Sequence, residues 1–455
     1  MMEVEVGGYT VLLTRTGGRY SALENQCTHY GAPLSKVISG TKVRCPWHGS
    51  CFNTHTGDIE EYPGMDSLPC HKVKIQNSKV YVSINKKRIK HMGVAEPGNP
   101  HTVLLIGGAT SLSCAETLRQ ENYGGRIIMV SRDYLLPYDK TRLSKVMNVQ
   151  SESILLRGME FYQKYDIEVW LKKEKTVQFD DGAVQSYDQL LISTGCAKIL
   201  DVPGMNLKNV LMLETPEDAR QIHAVCEGSR VILVGTSFVM EVASYMLNKA
   251  SDITVIGSSD MPYQNTLGKE IGKITLTMLA DKGVKFHMNE FVTEIRGANG
   301  TVNPNSEWLR GTEIKMDHKK FVIVDKYMKT NVPDVFCGGD VCTFPLNMAK
   351  EKQVNIGHWQ MAQAHKIIAL NMLGRQTELK SIPYYWTVLL GRTMRYAYGE
   401  GYTEIIIKGK VEDRKFLGLY IDEKVIAAVS LNFDPAVSAV AERLLSGRAI
   451  TKIEA

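Results

Sequence analysis

Cys27 and His29, and then Cys45 and His48, place one thiol and one imidazole in each of two short segments, CTHYGAPL and CPWHGSCFN, with fifteen residues between the pairs. Two thiolates and two imidazoles can serve two kinds of metal centre. A [2Fe–2S] cluster of mixed ligation holds one iron by two Cys and the other by two His, which raises its potential above that of an all-cysteine cluster. A tetrahedral Zn²⁺ also accepts two of each, but zinc motifs usually keep Cys beside Cys and His beside His. The interleaved spacing favours the iron–sulfur cluster and makes the chain an electron carrier. Gly31 and Gly49 relieve crowding beside the cluster, while Pro33 and Pro46 stiffen the loops that present the ligands.

The elements holding these loops are short strands. Alternation in VEVGGYTVLLTR, YSALEN and HKVKIQNSKVYVSI predicts antiparallel strands on either side of the ligand segments and a small all-β domain over residues 1–85. That span resembles the Rieske ferredoxins, with an edge strand expected to be missing because the pattern opens so near Met1. The cytochrome bc type of Rieske domain carries a loop disulfide. Here Ala32 and Trp47 stand beside the loops, so no such bridge is expected. Ser50 can donate a hydrogen bond to a sulfur, whereas Phe52 replaces the Tyr of high-potential centres, which predicts a low to intermediate potential.

A chain of 455 residues with 44% apolar content has room for about three domains. A net charge of +5 without a basic tract gives no reason to expect nucleic acid. No apolar run reaches the ~18 residues of a membrane helix. Nine cysteines, two of them assigned to the cluster and the rest scattered singly, read as reduced thiols in an intracellular protein, cytoplasmic or mitochondrial. No cleavable signal or Arg-rich presequence is seen at the start. The basic, Pro- and Gly-bearing stretch 86–100 reads as a linker.

Past the linker, HTVLLIGGATSLSCAETLRQE and RIIMVS read as strand, glycine turn, helix and strand, the opening of a dinucleotide-binding unit. Its glycines would let the backbone approach a pyrophosphate at a helix N-terminus. Only Gly107 and Gly108 are present, with Ser111 at the third position, so a plain packing turn is the alternative. A second copy over residues 229–259 strengthens the reading, because two units mark an enzyme that binds two dinucleotides.

LLPYDKTRLSK, YDQLLISTG, the Met240-Glu241 turn and TNVPDVFCGGD resemble the pyridine-nucleotide disulfide-type flavin reductases. Closer likeness lies with the ferredoxin reductases of aromatic dioxygenases and with the Rieske-bearing branch of the apoptosis-inducing-factor group, to which the closing PYYWTVLLGRTMRYAYGEGYTE also belongs. The resemblance implies a multidomain chain: an all-β Rieske domain, then an α/β reductase fold binding FAD and NAD(P), then a C-terminal α+β domain. Its divisions fall at 101–222 and 313–376 for the two parts of the FAD domain, 223–312 for the NAD(P) domain and 377–455 for the last. FAD would lie against Gly107, Gly108, Ser111, Asp133, Lys140, Lys145, Thr194, Gly195, Gly339 and Asp340, bordered by Trp359 and Trp386. NAD(P)H would lie on Gly235, with Glu241 meeting the nicotinamide amide; Glu241 and Lys145 are the expected catalytic pair. For Glu241 an ordinary first-turn glutamate, and for each Trp a core position, is the alternative.

Departures from that pattern are specific. Glycines are missing at GGATS, between Val239 and Met240, and in residues 395–399. The ribose-binding acid is displaced to Asp133, and Gly257-Ser258-Ser259 gives no coenzyme preference. After Gly300 the text jumps to NPNSEWLRGTEIKMD, with roughly two dozen residues of the family pattern missing, which should leave a sheet edge and apolar surface uncovered.

The implied activity is electron transfer from NAD(P)H through FAD to the Rieske cluster, whose exposed His ligands would pass single electrons to an unidentified acceptor, a protein or otherwise. A redox-impaired, apoptosis-linked binding protein is the alternative. A mononuclear iron site built from Asn355, His358 and His365 has the wrong spacing and no carboxylate. The chain is expected to be a monomer or a dimer.

Overall fold

The structure is a computed structural model that describes residues 1–85, 91–171, 184–195, 202–205, 207, 209–295, 309, 311–346, 352–355, 366–397, 399 and 401–455. Trp359, His358 and His365 lie outside the described residues.

The N-terminal part is all β. One antiparallel sheet runs in the order Met2–Val6, Tyr9–Thr16, Arg19–Glu24, Cys70–Gln76, Lys79–Ser83. A smaller sheet joins Ile38–Ser39, Lys42–Arg44, Cys51–Asn53 and Ile59–Glu61. Alternation puts Leu12, Val43, Phe52 and Ile59 into one small core together with Cys27 and Cys45, so the packing that folds the domain also fixes the two thiols.

Next comes a five-stranded parallel sheet in the order Ile167–Leu171, Arg126–Ser131, Thr102–Gly107, Gln189–Ser193, Val335–Cys337. Thr102–Gly107 is buried almost throughout, as expected of a strand covered on both faces. It runs through Gly107 into the helix Ala109–Gln120. Gly107 has φ of +142°, and a side chain there would collide with the Ser193 carbonyl on the neighbouring strand, so only glycine allows that approach.

The second unit is a parallel sheet of three described strands, Lys285–Met288, Asp252–Gly257 and Arg230–Val234. Among the described residues Arg230–Val234 is an edge, with Ile232 66% and Val234 39% exposed. Both residues line the large cavity described below.

The C-terminal part is a five-stranded antiparallel sheet, Tyr384–Leu389, Arg392–Ala397, Lys424–Leu431, Lys415–Asp422 and Glu404–Lys410, closed by the helix Ala436–Leu445. Val437 and Ala441 of that helix are buried against the sheet, with Val440 and Leu444 at the margin. The family resemblance implies packing on the FAD domain. Here Met394, Phe416 and Val429 share a core with Met240, Val255 and Ile271 of the second unit, as well as with Leu143 and Met147. No helix among the described residues is long and apolar enough to cross a membrane.

Candidate functional site

The two ligand loops bring the four expected residues together. His29 Nδ1 and His48 Nδ1 are 3.0 Å apart, a separation that lets both nitrogens bind one iron. Cys27 and Cys45 are buried and free of disulfides. A hydrogen bond with Cys45 is the main cause that lowers the Cys27 thiol to about 7, with a smaller contribution from Ser50. Ser50 Oγ also accepts from the Gly64 amide at 3.0 Å, which leaves its hydroxyl proton for sulfur. Burial pushes His29 down to about 4 and His48 to about 2, so both imidazoles are neutral and available as ligands. The donor set therefore fits a [2Fe–2S] cluster of mixed ligation.

The direction in which the histidines face corrects the expectation from sequence. They are half-buried and turned toward a cavity they share with the rest of the chain. His48 packs on Trp386 with ring centroids 4.6 Å apart, and His29 lies 6.0 Å from the same ring. All three side chains line one cavity of about 2340 Å³, whose walls also include Gly107, Gly108, Asp133, Lys140, Lys145, Thr194, Gly195, Gly235 and Asp340. A single drug-sized pocket is about 300–1,000 Å³, so this space suits more than one large cofactor.

Several observations match a dinucleotide on the first unit. Gly108 ends the turn at the start of the helix, with no atom within 4 Å of where a side chain would point. The buried Thr194 Oγ1 has no hydrogen-bond partner among the described residues, and such a group ordinarily acquires one. Asp133 lines the cavity just beyond the second strand, its amide donating to Ser131 Oγ at 3.2 Å. Lys140 also lines the cavity and sits 5.6 Å above the Tyr138 ring. Asp340 lines the cavity, whereas Gly339, at φ +79° and also expected against FAD, is not among the lining residues.

Two more expected contacts, besides Gly339, fall elsewhere. Ser111 is fully buried and its hydroxyl meets Ser193 Oγ at 2.9 Å, so it joins helix to strand instead of lining the cavity. Glu241 is buried behind the cavity wall. Its carboxylate receives Lys145 at 3.0 Å, the Thr387 hydroxyl at 2.6 Å, the Val388 amide at 3.3 Å and the Ser144 hydroxyl. Four donors fill a carboxylate's acceptor sites, so Glu241 has none left for a nicotinamide amide. Its effect is to fix Lys145, which does face the cavity.

The seating of the N-terminal domain leaves little trace in the sequence. Fully buried Arg44 pairs with Glu61 of its own domain at 2.8 Å and with Glu442 of the last helix. Arg157 joins Asp66 at 2.6 Å to Glu116 of the first dinucleotide helix at 2.7 Å. Tyr30 donates to Asp139 at 3.1 Å. Partners so far apart along the chain leave no periodic trace. The one available signal is that Ser438 and Glu442, four residues apart, put polar groups beside the apolar stripe of the last helix.

Comparisons with known proteins agree with this layout. Residues 1–72 match the family model of the Rieske [2Fe-2S] domain. Residues 101–303 and 301–365 match that of pyridine nucleotide-disulphide oxidoreductases, in two pieces meeting where the sequence jumps. Apoptosis-inducing factor 3 of Homo sapiens is 41% identical over all of this chain and 83% of its own length. That alignment runs over 502 positions, more than the 455 residues here, so the human protein has residues with no counterpart. The ferredoxin–NAD(+) reductase subunit of the benzene 1,2-dioxygenase system of Pseudomonas putida is 25% identical over 78% of this chain and 94% of its own. In fold, the putidaredoxin reductase–putidaredoxin complex superposes with a TM-score of 0.71 at 19% identity, covering 77% of this chain and 94% of that one.

Proposed function

The chain belongs to the apoptosis-inducing factor 3 family, and we propose that it is an NAD(P)H-dependent flavoenzyme that relays electrons internally, to a Rieske centre in the same chain and then to an outside acceptor. One observation carries the reading: the edges of both histidine ligands and the residues of both dinucleotide turns line the same cavity, with Trp386 touching the histidines. When bound, a flavin takes an electron pair as hydride from a reduced nicotinamide and releases electrons singly, while the cluster carries one at a time.

The chain's own residues supply position and charge. Gly108 and the helix N-terminus behind it are suited to the FAD pyrophosphate, Asp133 to the ribose and Thr194 to an acceptor on the flavin. Lys145, held by Glu241, places a fixed positive charge at the cavity wall. The Trp386 ring closes the space between that wall and His48. Gly235 and the edge strand behind it would carry the nicotinamide coenzyme.

The test is an anaerobic titration of FAD- and cluster-loaded protein with NADH and with NADPH, followed by absorption and EPR. Bleaching of the flavin together with the signal of a reduced Rieske cluster is expected. The uncovered edge at Ile232 and Val234 favours a second reading, a binding protein that retains both groups but has lost its coenzyme. That reading predicts a flavin that responds to dithionite and to neither coenzyme.

A further inference from the structure

The second ligand loop, Cys45 to Gly49, is held in large part by residues more than 330 positions away. The Ser438 hydroxyl donates to the Cys45 carbonyl at 3.2 Å, with the Tyr384 hydroxyl 2.9 Å behind it. Arg395 Nε donates to the Trp47 carbonyl at 2.7 Å while its other end pairs with Asp434 at 2.6 Å. The Gly49 carbonyl receives Arg44 at 2.8 Å, and Arg44 is clamped by Glu442. The Tyr384 ring lies so close to Gly49 that a side chain there would meet it at 2.8 Å, which gives Gly49 a role besides relieving crowding at the cluster. Both ligand loops close on themselves in the same way, Cys27 to Ala32 and Gly31 to Cys27 at 2.8 Å in the first, Cys45 to Ser50 at 2.7 Å and Gly49 to Cys45 at 3.2 Å in the second; the bonds from the C-terminal domain described above are added to the second.

We propose that Arg395, Ser438 and Glu442, all in the C-terminal domain, are positioning residues for the iron–sulfur centre: they complete the Cys45–Gly49 loop and keep His48 on Trp386. The C-terminal sheet and its last helix then act as an outer shell of the cluster as well as a wall of the flavin cavity. Outer-shell groups orient metal ligands and tune the metal. Replacing the Arg395 guanidinium by a neutral group would leave the Asp434 carboxylate unpaired beside the loop, which disfavours the reduced cluster.

The experiment uses the full chain loaded with FAD and cluster, as the parent and as Ser438→Ala, Arg395→Gln, Arg395→Lys and Glu442→Gln. Each is reduced with dithionite for EPR and titrated for the cluster midpoint potential, and each is mixed with NADH in a stopped-flow instrument. Ser438→Ala, Arg395→Gln and Glu442→Gln should shift or broaden the EPR signal. Arg395→Gln should lower the potential, and Arg395→Lys should recover part of it. Cluster reduction after flavin reduction should slow by about tenfold, the lower end for lost outer-shell partners, with flavin reduction itself little changed. Folded variants whose EPR, potential and cluster-reduction rate all equal the parent's overturn the proposal. Its kinetic part rests on the relay described above, but the EPR comparison does not. A parent cluster reduced by dithionite and never by NADH refutes the relay, and the variants' EPR spectra then decide the positioning role alone.

Discussion

Arg44 shows how strongly a single side chain can be committed. Its guanidinium has 1% exposure and stands between two buried carboxylates, Glu61 and Glu442. Removing one member of a buried ion network costs about 3–5 kcal/mol, because the others stay buried and uncompensated. Arg44→Ala should lose that much in denaturant unfolding, and Arg44→Ala with Glu442→Gln should lose less than the sum of the singles. Glu116 is the opposite case. Burial outweighs the attraction of Arg157 and lifts its carboxyl from 4.5 to about 7. With the folded pKa above the unfolded one, the folded state binds more protons between those values, so this contribution to stability is full below about pH 4.5 and falls as pH rises to 7. Glu116→Gln should flatten thermal stability against pH across that window, and an unchanged slope would contradict the assignment. That Cys27, His29, Cys45 and His48 come together was legible from their spacing, because a shared metal site demands fixed residue types at fixed intervals. The filled acceptor sites of Glu241 were not, since Thr387 and Val388 come from another domain.

Strands and helices followed the sequence where an apolar run of the right length was bounded by turn residues, even though Lys415–Asp422 and Lys424–Leu431 are buried on both faces. The segment 404–431 reads as strands, and they are Glu404–Lys410, Lys415–Asp422 and Lys424–Leu431. Their partners were less legible: which core the C-terminal sheet shares depends on matching surfaces between domains, and no local period records that. The edge strand Arg230–Val234 gives the sharpest prediction at this level. Ile232 is 66% exposed and Ile253 on the neighbouring strand 4%. Ile232→Lys should change stability by less than about 0.5 kcal/mol and reduce binding of a hydrophobic dye to the native protein, whereas Ile253→Lys should unfold the unit. Destabilisation by Ile232→Lys as severe as by Ile253→Lys would mean that this edge is covered in solution.

For the molecule as a whole, the seating of the N-terminal domain matters most. Ion pairs and hydrogen bonds reach it from the first dinucleotide helix through Glu116 and Arg157, and from the C-terminal domain through Glu442, Arg395 and Ser438. Under the proposed function, a domain held at both sides, with its ligand histidines turned toward Trp386, serves as a built-in acceptor that does not have to meet the reductase by diffusion. Anaerobic stopped-flow mixing with NADH tests this most directly, with flavin and cluster absorbance followed over a tenfold range of protein concentration. The account predicts cluster reduction that follows flavin reduction with a first-order rate independent of protein concentration. A rate rising in proportion to protein concentration, or a reduced flavin beside a cluster that stays oxidised, would contradict it.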